Sequence, residues 1–434
     1  MRLAFFEDSR ADDFVPIALT RPVFELLCGQ FCVRERVVRT LEVTEWGAVT
    51  REYLAESYRE SQPEARVNDF DWLARQPTLL INGRWLAGAD QIRRLVDATE
   101  ATVGMVGDEV AYLLIEPVEA ALLTVADWED SLQKIAATRK VVAAGGTFAE
   151  RPWSFIDNNP EMLVADFPLR LSGRSAVEFQ IESDQQLAIL GNPEEVSIDP
   201  TAAIDPFVVI DARGGPVSVD ARVRIQAFTR LEGPCHVGFQ SELFRANLKA
   251  GSTIGPVCRV GGEIEAVIMQ GYSNKYHDGF LGHSYVCPWV NMGALTTNSD
   301  LKNDYSTVRV PLAGVPVESG STKVGAFFGD HTKTALCSQF NTGSSLGVMT
   351  MILPGGELLP KHVPSFSRVW HGAIDDQFDL EAGLQTARLA MGRRNRELTP
   401  AQERLLRHLY QQTQGERQRA VERFHSLQQT AVRG

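Results

Sequence analysis

The sequence predicts three parts in order: a mixed α/β domain, a parallel β-helix on a six-residue period, and a helical tail. Three observations predict them. Short apolar runs alternate with helix-spaced segments over residues 1–165. From residue 196 apolar residues recur every six positions. From residue 379 the chain turns helix-periodic behind a capping signal.

In the first part, Thr78–Ile81 and Tyr112–Ile115 are short apolar runs that predict strands. Gly88–Thr99 and Asp130–Ala144 carry apolar spacing that predicts helices. Residues 151–190 contain RPW, NNP and FP, which predict a connector poor in regular structure; a linker is expected at 166–195.

The second part, 196–370, rests on its period. Ile198, Ile204 and Ile210 are followed by Val219, Ile225, Leu231, Val237 and Leu243. Further sets are Phe280, Val286, Met292, and then Phe328, Thr334, Phe340, Leu346, Ile352. The position four after each is nearly always small, as in Ala202, Ser241, Ser284, Ser338 and Ser344. Neither an α-helix nor plain strand pairing has a period of six. A triangular coil does: each side is a short strand plus a corner, and stacked coils bury one apolar column. Interruptions at 248–279 and 297–327 predict loops or irregular coils.

The tail, 371–434, contains Thr399-Pro400-Ala401-Gln402, a capping box with proline at the first helical position. Leu405, Leu406, Leu409 and Tyr410 form its apolar stripe. The tail is rich in Arg and Gln; a helix docked on the β-helix or on another subunit is expected, with an anion-binding role as the alternative.

Composition excludes some functions. The 434 residues are 44% hydrophobic and 23% charged, with a formal net charge of -12, so no global attraction for nucleic acid exists. No stretch approaches the roughly 18 apolar residues of a membrane span, and MRLAFFEDSRADDF has no signal-peptide core. Six cysteines without a CxxC or Cys/His cluster fit reduced thiols. A cytoplasmic protein is expected, with no nucleic-acid or membrane partner.

Hexad coils behind an α/β domain and before a helical tail resemble the bifunctional sugar-nucleotide enzymes of the GlmU type. The most specific block is His277-Asp-Gly-Phe280-Leu281-Gly282, followed by Val290-Asn291-Met292-Gly293-Ala294-Leu295-Thr296. VGGEI (260–264), GYSNKYHDGFLG (271–282), NSDLKNDY (298–305), GDHTKT (329–334) and NTG (341–343) resemble an alternative GlmU-like group described as sugar nucleotidyltransferases. The resemblance implies a nucleotide-diphospho-sugar transferase-like α/β domain at 1–165 and a left-handed parallel β-helix acyltransferase domain at 196–370. It also implies a homotrimer, acetyl-CoA as donor, and a sugar phosphate or nucleotide sugar as partner.

Acetyl transfer to an amino sugar needs a base, because only the free amine attacks, and groups that hold a phosphate. Imidazole suits the base, with an unperturbed pKa of about 6.5. By resemblance His277 is that base and Asn291 contacts the sugar. Lys275 is the local candidate for the phosphate, with Asn274, Lys302, His331 and Lys333 as further substrate-binding candidates. Phe280 and Glu265 replace a tyrosine and a lysine that the family uses on the sugar, so the acceptor pocket is remodelled and UDP-N-acetylglucosamine biosynthesis is one expected setting among several.

The N-terminal motifs depart further. Pro16-Ile-Ala-Leu19-Thr20-Arg21-Pro22 resembles a phosphate-handling segment, but Val23 takes the lysine position. Residues 7–13, EDSRADD, are acidic where a glycine-rich loop would cradle phosphates. Asn82-Gly83-Arg84 stands where a magnesium-binding aspartate is usual, and Arg84 reverses that charge. Arg10, Arg21 and Arg84, with Arg34 and Arg36, are candidates for a substitute nucleotide or phosphate site. Nucleotidyl transfer to the sugar 1-phosphate with Mg²⁺, and ligand binding by a degenerate site, both stay open. So do a non-catalytic trimeric scaffold or sensor and, remotely, a zinc hydratase of the γ-carbonic-anhydrase type built on His277, His283 and His331.

Overall fold

A seven-stranded sheet organises the N-terminal part, in the order Lys140–Ala143, Thr102–Val106, Glu109–Ile115, Thr78–Asn82, Leu3–Phe6, Trp46–Val49, Arg66–Val67. The structure is a computed structural model that describes residues 2–124, 127–171, 187–375 and 377–433. Leu3–Phe6 lies between parallel neighbours, Trp46–Val49 and Thr78–Asn82. All four of its residues are buried, so it reads as a continuous apolar run. Loops at the carboxyl ends of such strands are where α/β sheets place ligands; here those ends lead into Glu7-Asp8 and Gly83-Arg84.

Two expected helices are shorter than their apolar spacing implies. The first is Ala89–Arg93 followed by a 3-10 turn, Arg94–Asp97. The second, Trp128–Ala136, stops before Lys140–Ala143, which pairs in parallel with Thr102–Val106. The β-branched pair Val141-Val142 favours the sheet edge over another helical turn.

The chain divides into two units, the first containing residues 2–14, Thr20–Leu27 and Phe31–Arg151, the second Val15–Leu19, Cys28–Gln30 and the chain from Pro152. The expected connector is therefore largely wrong: Pro152–Leu171 is a helix of 20 residues in the second unit. An interior proline costs a helix about 3 kcal/mol, and Pro160 and Pro168 both lie inside it. Burial of Trp153, Phe155, Ile156, Met162, Leu163 and Phe167 outweighs that, at about 1.5–3 kcal/mol for each large side chain. Asn159 and Asp166 are buried with them and bond to main chain. Gly29 N donates to Asn159 Oδ1 at 2.6 Å, Gln30 N to Asp166 Oδ2 at 2.8 Å, and Asn159 Nδ2 to the Gly251 carbonyl at 2.7 Å. Residues 172–186 of the expected linker lie outside the described residues.

From Val196 the second unit is a long run of short parallel strands. One sheet of nine runs from Val196–Ile198 to His362–Val363. A larger sheet of fourteen carries two further lines of strands, joined through Glu242–Leu248 and Arg259–Glu265. Partners such as Val217 and Cys235, or Ala326 and Ser344, differ by 18 in sequence (235−217; 344−326). That is three six-residue sides, an arrangement compatible with a triangular coil. Ile210, Leu231, Leu248, Ile264 and Leu281 stand in one register and are at most 1% exposed.

This register corrects the six-residue count in two places. Leu281, not Phe280, points into the core; Phe280 is half-buried. The segment 248–279 takes the second of its two expected forms, irregular coils within the stack: its turns take 17 or 15 residues instead of 18 (Cys235 to Ser252; Thr253 to Ile268). Only the later interruption leaves the strand stack, as an antiparallel hairpin, Arg309–Leu312 with Val315–Glu318. The tail is helical as expected: Leu380–Gly392, Pro400–Gln412 with its Thr399/Gln402 capping box, and Gln414–Arg433. Leu405, Leu406 and Leu409 are buried. Among the described residues no helix is long and apolar enough to cross a membrane.

Candidate functional sites

The strand Asn274–Lys275 sets the neighbourhood of His277. Lys275 is in register with Val260, which is itself in register with Leu243, so its side chain occupies a core position and is 1% exposed. Its Nζ donates to the carbonyl of His277 at 2.5 Å and of Gly261 at 3.2 Å. Burial lowers the ammonium to about 8, with Asp278 opposing the shift. Lys275 therefore does not present itself to a phosphate as expected; the strand's alternation turns it inward. His277, two residues on, is exposed and packs edge-on to Tyr276 at 5.8 Å.

Asn274 and Asn291 are partners on adjacent strands, and Asn274 Nδ2 donates to Asn291 Oδ1 at 2.7 Å. Asn291 is in turn beside Lys333. All three line a cavity of about 640 Å³, together with Tyr276 but not His277. Lys333 donates to the Trp289 carbonyl, and burial lowers its ammonium to about 8. His331 is buried and stacks on the Trp289 ring at 6.1 Å. Lys302 instead ties its own loop, donating to Ser306 Oγ at 3.1 Å and to the Thr307 carbonyl. That local closure corrects its expected place at substrate.

Several lining residues were not anticipated. Tyr272 and Trp289 stack at 4.5 Å, and Arg259, Arg393 and Arg394 face the same space. The sequence does hold a signal: Tyr272 and Trp289 are 17 apart (289−272), one coil, and both sit at left-handed corners with φ of 54° and 66°.

His283, a candidate only in the zinc hydratase reading, forms a pair with Asp300: Nδ1 to Oδ2 is 2.7 Å. Glu265 completes the one group of three potential metal ligands found among the described residues. Its carboxylate already binds Lys249 and Lys323, each at 3.0 Å. Two ammonium groups on one ligand oppose a cation there. His277 and His331 are not in that group, so the three histidines of a hydratase site are not brought together in the chain.

In the first unit the expected anion site is closed by its own acids. Arg84 is 1% exposed. Its Nε donates to Asp8 Oδ1 at 2.8 Å, its Nη2 to Asp8 Oδ2 at 2.6 Å and to Glu109. Arg10 binds Glu109 Oε1 at 2.7 Å. Arg51 binds Glu7 at 2.9 Å and donates to the Arg21 carbonyl at 3.1 Å. Arg34 pairs with Glu25 at 2.5 Å, and Arg36 is buried against the Phe31 carbonyl at 3.1 Å. Asp8 of the acidic loop and Glu109 thus neutralise Arg84, and Glu109 neutralises Arg10, before any ligand arrives. The same contacts do not fit a magnesium ion, since Asp8 and Glu109 both face the Arg84 guanidinium.

Residues 3–175 match the model of a family described as sugar nucleotidyl transferase. Over 91 residues the chain is 36% identical to a bifunctional sugar-1-phosphate nucleotidylyltransferase/acetyltransferase of Sulfurisphaera tokodaii, covering 21% of this chain and 22% of the relative. The match thus spans about a fifth of that relative's length.

Proposed function

We propose that this chain is a GlmU-like transferase, a reading its family match and its relative support, and that it N-acetylates an amino sugar phosphate from acetyl-CoA on a left-handed β-helix. The observation that carries the reading is His277: an exposed imidazole whose own carbonyl is held from inside the core by Lys275. An anchored main chain and a free ring suit a general base. The amine nitrogen attacks the thioester carbonyl carbon. The C–N bond forms, the amine proton passes to the His277 imidazole, and the C–S bond breaks. The imidazolium then returns the proton to the departing thiolate. Asn274, Asn291 and Lys333 hold the acceptor, and His331 braces Trp289 beside them.

Nucleotidyl transfer in the first unit is the second reading, favoured by the family match over residues 3–175. The Asp8–Arg84–Glu109 contacts oppose a metal-dependent version, and a sugar nucleotide would have to displace them to reach Arg84. Assembly as a homotrimer in the cytoplasm belongs to the same proposal.

Acetyl-CoA turnover over several amino sugar phosphates tests it. His277→Ala is expected to lower turnover at least 100-fold, within the range of base removal. Equal rates in both proteins would remove His277 as the base, and no turnover with any acceptor would leave the scaffold reading. UTP/pyrophosphate exchange with and without Mg²⁺ tests the first unit.

A further inference from the structure

The cavity beside the Asn274–Asn291 pair has an unusual balance of charge. One wall is a ladder of outward side chains on successive parallel strands, Glu242, Arg259, Asn274, Asn291 and Lys333. The cavity is also lined by the end of helix Leu380–Gly392 and the two arginines after it, Arg393 and Arg394. Among the lining residues Glu242 is the one acid, and Arg259 already binds it at 3.1 Å.

Arg394 is half-buried, and its Nε is a buried donor without a hydrogen-bond partner. Burial lowers its pKa, and Arg259 and Arg393 lower it further. A buried unpaired donor of a charged group is costly, and so is a cluster of like charges. Guanidinium forks match phosphate oxygens in both charge and geometry. Beside them the Tyr272–Trp289 stack and the exposed Leu389 offer apolar faces, and the two asparagine amides offer hydrogen bonds to hydroxyl or ring polar atoms.

We propose that this cavity binds a phosphate group attached to a ring-bearing molecule, with Arg394 and Arg259 on the phosphate and Trp289 against the ring. The proposal deepens the acetyl-transfer reading and rests on it for the roles of Asn274 and Asn291. Two sources supply this chemistry: a sugar 1-phosphate, and the phosphorylated nucleoside end of coenzyme A. The arginines lie outside every motif that suggested the function, and two of them directly follow a helix of the tail.

Calorimetric titration of the full chain tests it, with glucosamine 1-phosphate, coenzyme A and inorganic phosphate as separate probes. The wild type is expected to bind one of the two ring-bearing probes at least tenfold more tightly than inorganic phosphate. Arg394→Gln and Arg259→Gln should each weaken that probe about tenfold or more, and Arg394→Lys should weaken it less. A thermal midpoint on each variant separates lost contact from lost fold. His277→Ala should bind the probe as the wild type does. In turnover, Arg394→Gln should raise KM for the bound probe's parent substrate and leave kcat nearly unchanged. Unchanged affinity and KM in folded Arg394→Gln would overturn the site while leaving acetyl transfer standing. Arginine-dependent binding in a protein that transfers no acetyl group would keep the site and overturn the activity. No binding of any probe by the wild type at millimolar concentration would also overturn it.

Discussion

Lys275 reaches the His277 carbonyl from inside the protein core, at 2.5 Å, while the His277 ring lies in solvent. One residue of a strand thus fixes the main chain of a catalytic candidate two residues away, at the cost of burying an ammonium among apolar side chains.

That cost should be visible in pH. Lys275 drops from 10.5 unfolded to about 8 folded. Between those values the unfolded chain holds more protons, so stability rises with pH through that window. At 1.36 kcal/mol per pH unit the effect is roughly 3 kcal/mol. Lys275→Met removes it. Chemical denaturation at pH 7 and pH 10.5 should show wild type gaining on the variant by about that amount, and a constant difference would show that the ammonium is not strained. Turnover by Lys275→Met should fall about tenfold as the His277 main chain loosens.

Arg84 joins two carboxylates in the first unit. Arg84→Ala leaves Asp8 and Glu109 facing each other, which should cost about 3–5 kcal/mol, the usual loss when one partner of a buried ion pair is removed. Arg84→Asp should collect three carboxylates and create a magnesium-dependent rise in thermal midpoint that the wild type lacks.

Asn159 is fully buried and links Gly29, Gly251 and Thr253. Asn159→Ala strands a main-chain N–H and a carbonyl at once. The expected loss is about 2–4 kcal/mol of unfolding free energy, measured in urea; a loss under 0.5 kcal/mol would mean that water replaces the amide.

A side chain at Gly282 would meet the Phe280 ring and stand 2.6 Å from Asp300 Oδ2. Gly282→Ala should therefore push Asp300 off His283 and destabilise the protein by about 1–3 kcal/mol. The His283 ring resonances, followed by NMR, should then lose the signature of the Nδ1–Asp300 hydrogen bond.

Much was legible in the sequence because it is local or periodic. The six-residue spacing anticipated buried Ile210, Leu231 and Leu346, and Thr399-Pro400-Ala401-Gln402 anticipated a helix start. Periodicity failed where a coil changed length: with turns of 17 and 15 residues the count slips, so Phe280 was placed inside where Leu281 belongs. The helix Pro152–Leu171 was hidden by its prolines, which are poor local signals overridden by burial of a large apolar surface.

The sequence by itself determined the order of parts, the candidates Asn274, Asn291 and Lys333, and the charge reversal at Arg84. Tertiary structure alone decided what those charges face. Arg10 and Arg84 look alike on paper to Arg394, yet the first two meet Asp8 and Glu109 and the last meets a cavity. Asp8 lies 76 residues from Arg84 and Glu109 lies 99 from Arg10 along the chain (84−8; 109−10), and only folding brings them within the few ångströms over which a carboxylate cancels a guanidinium.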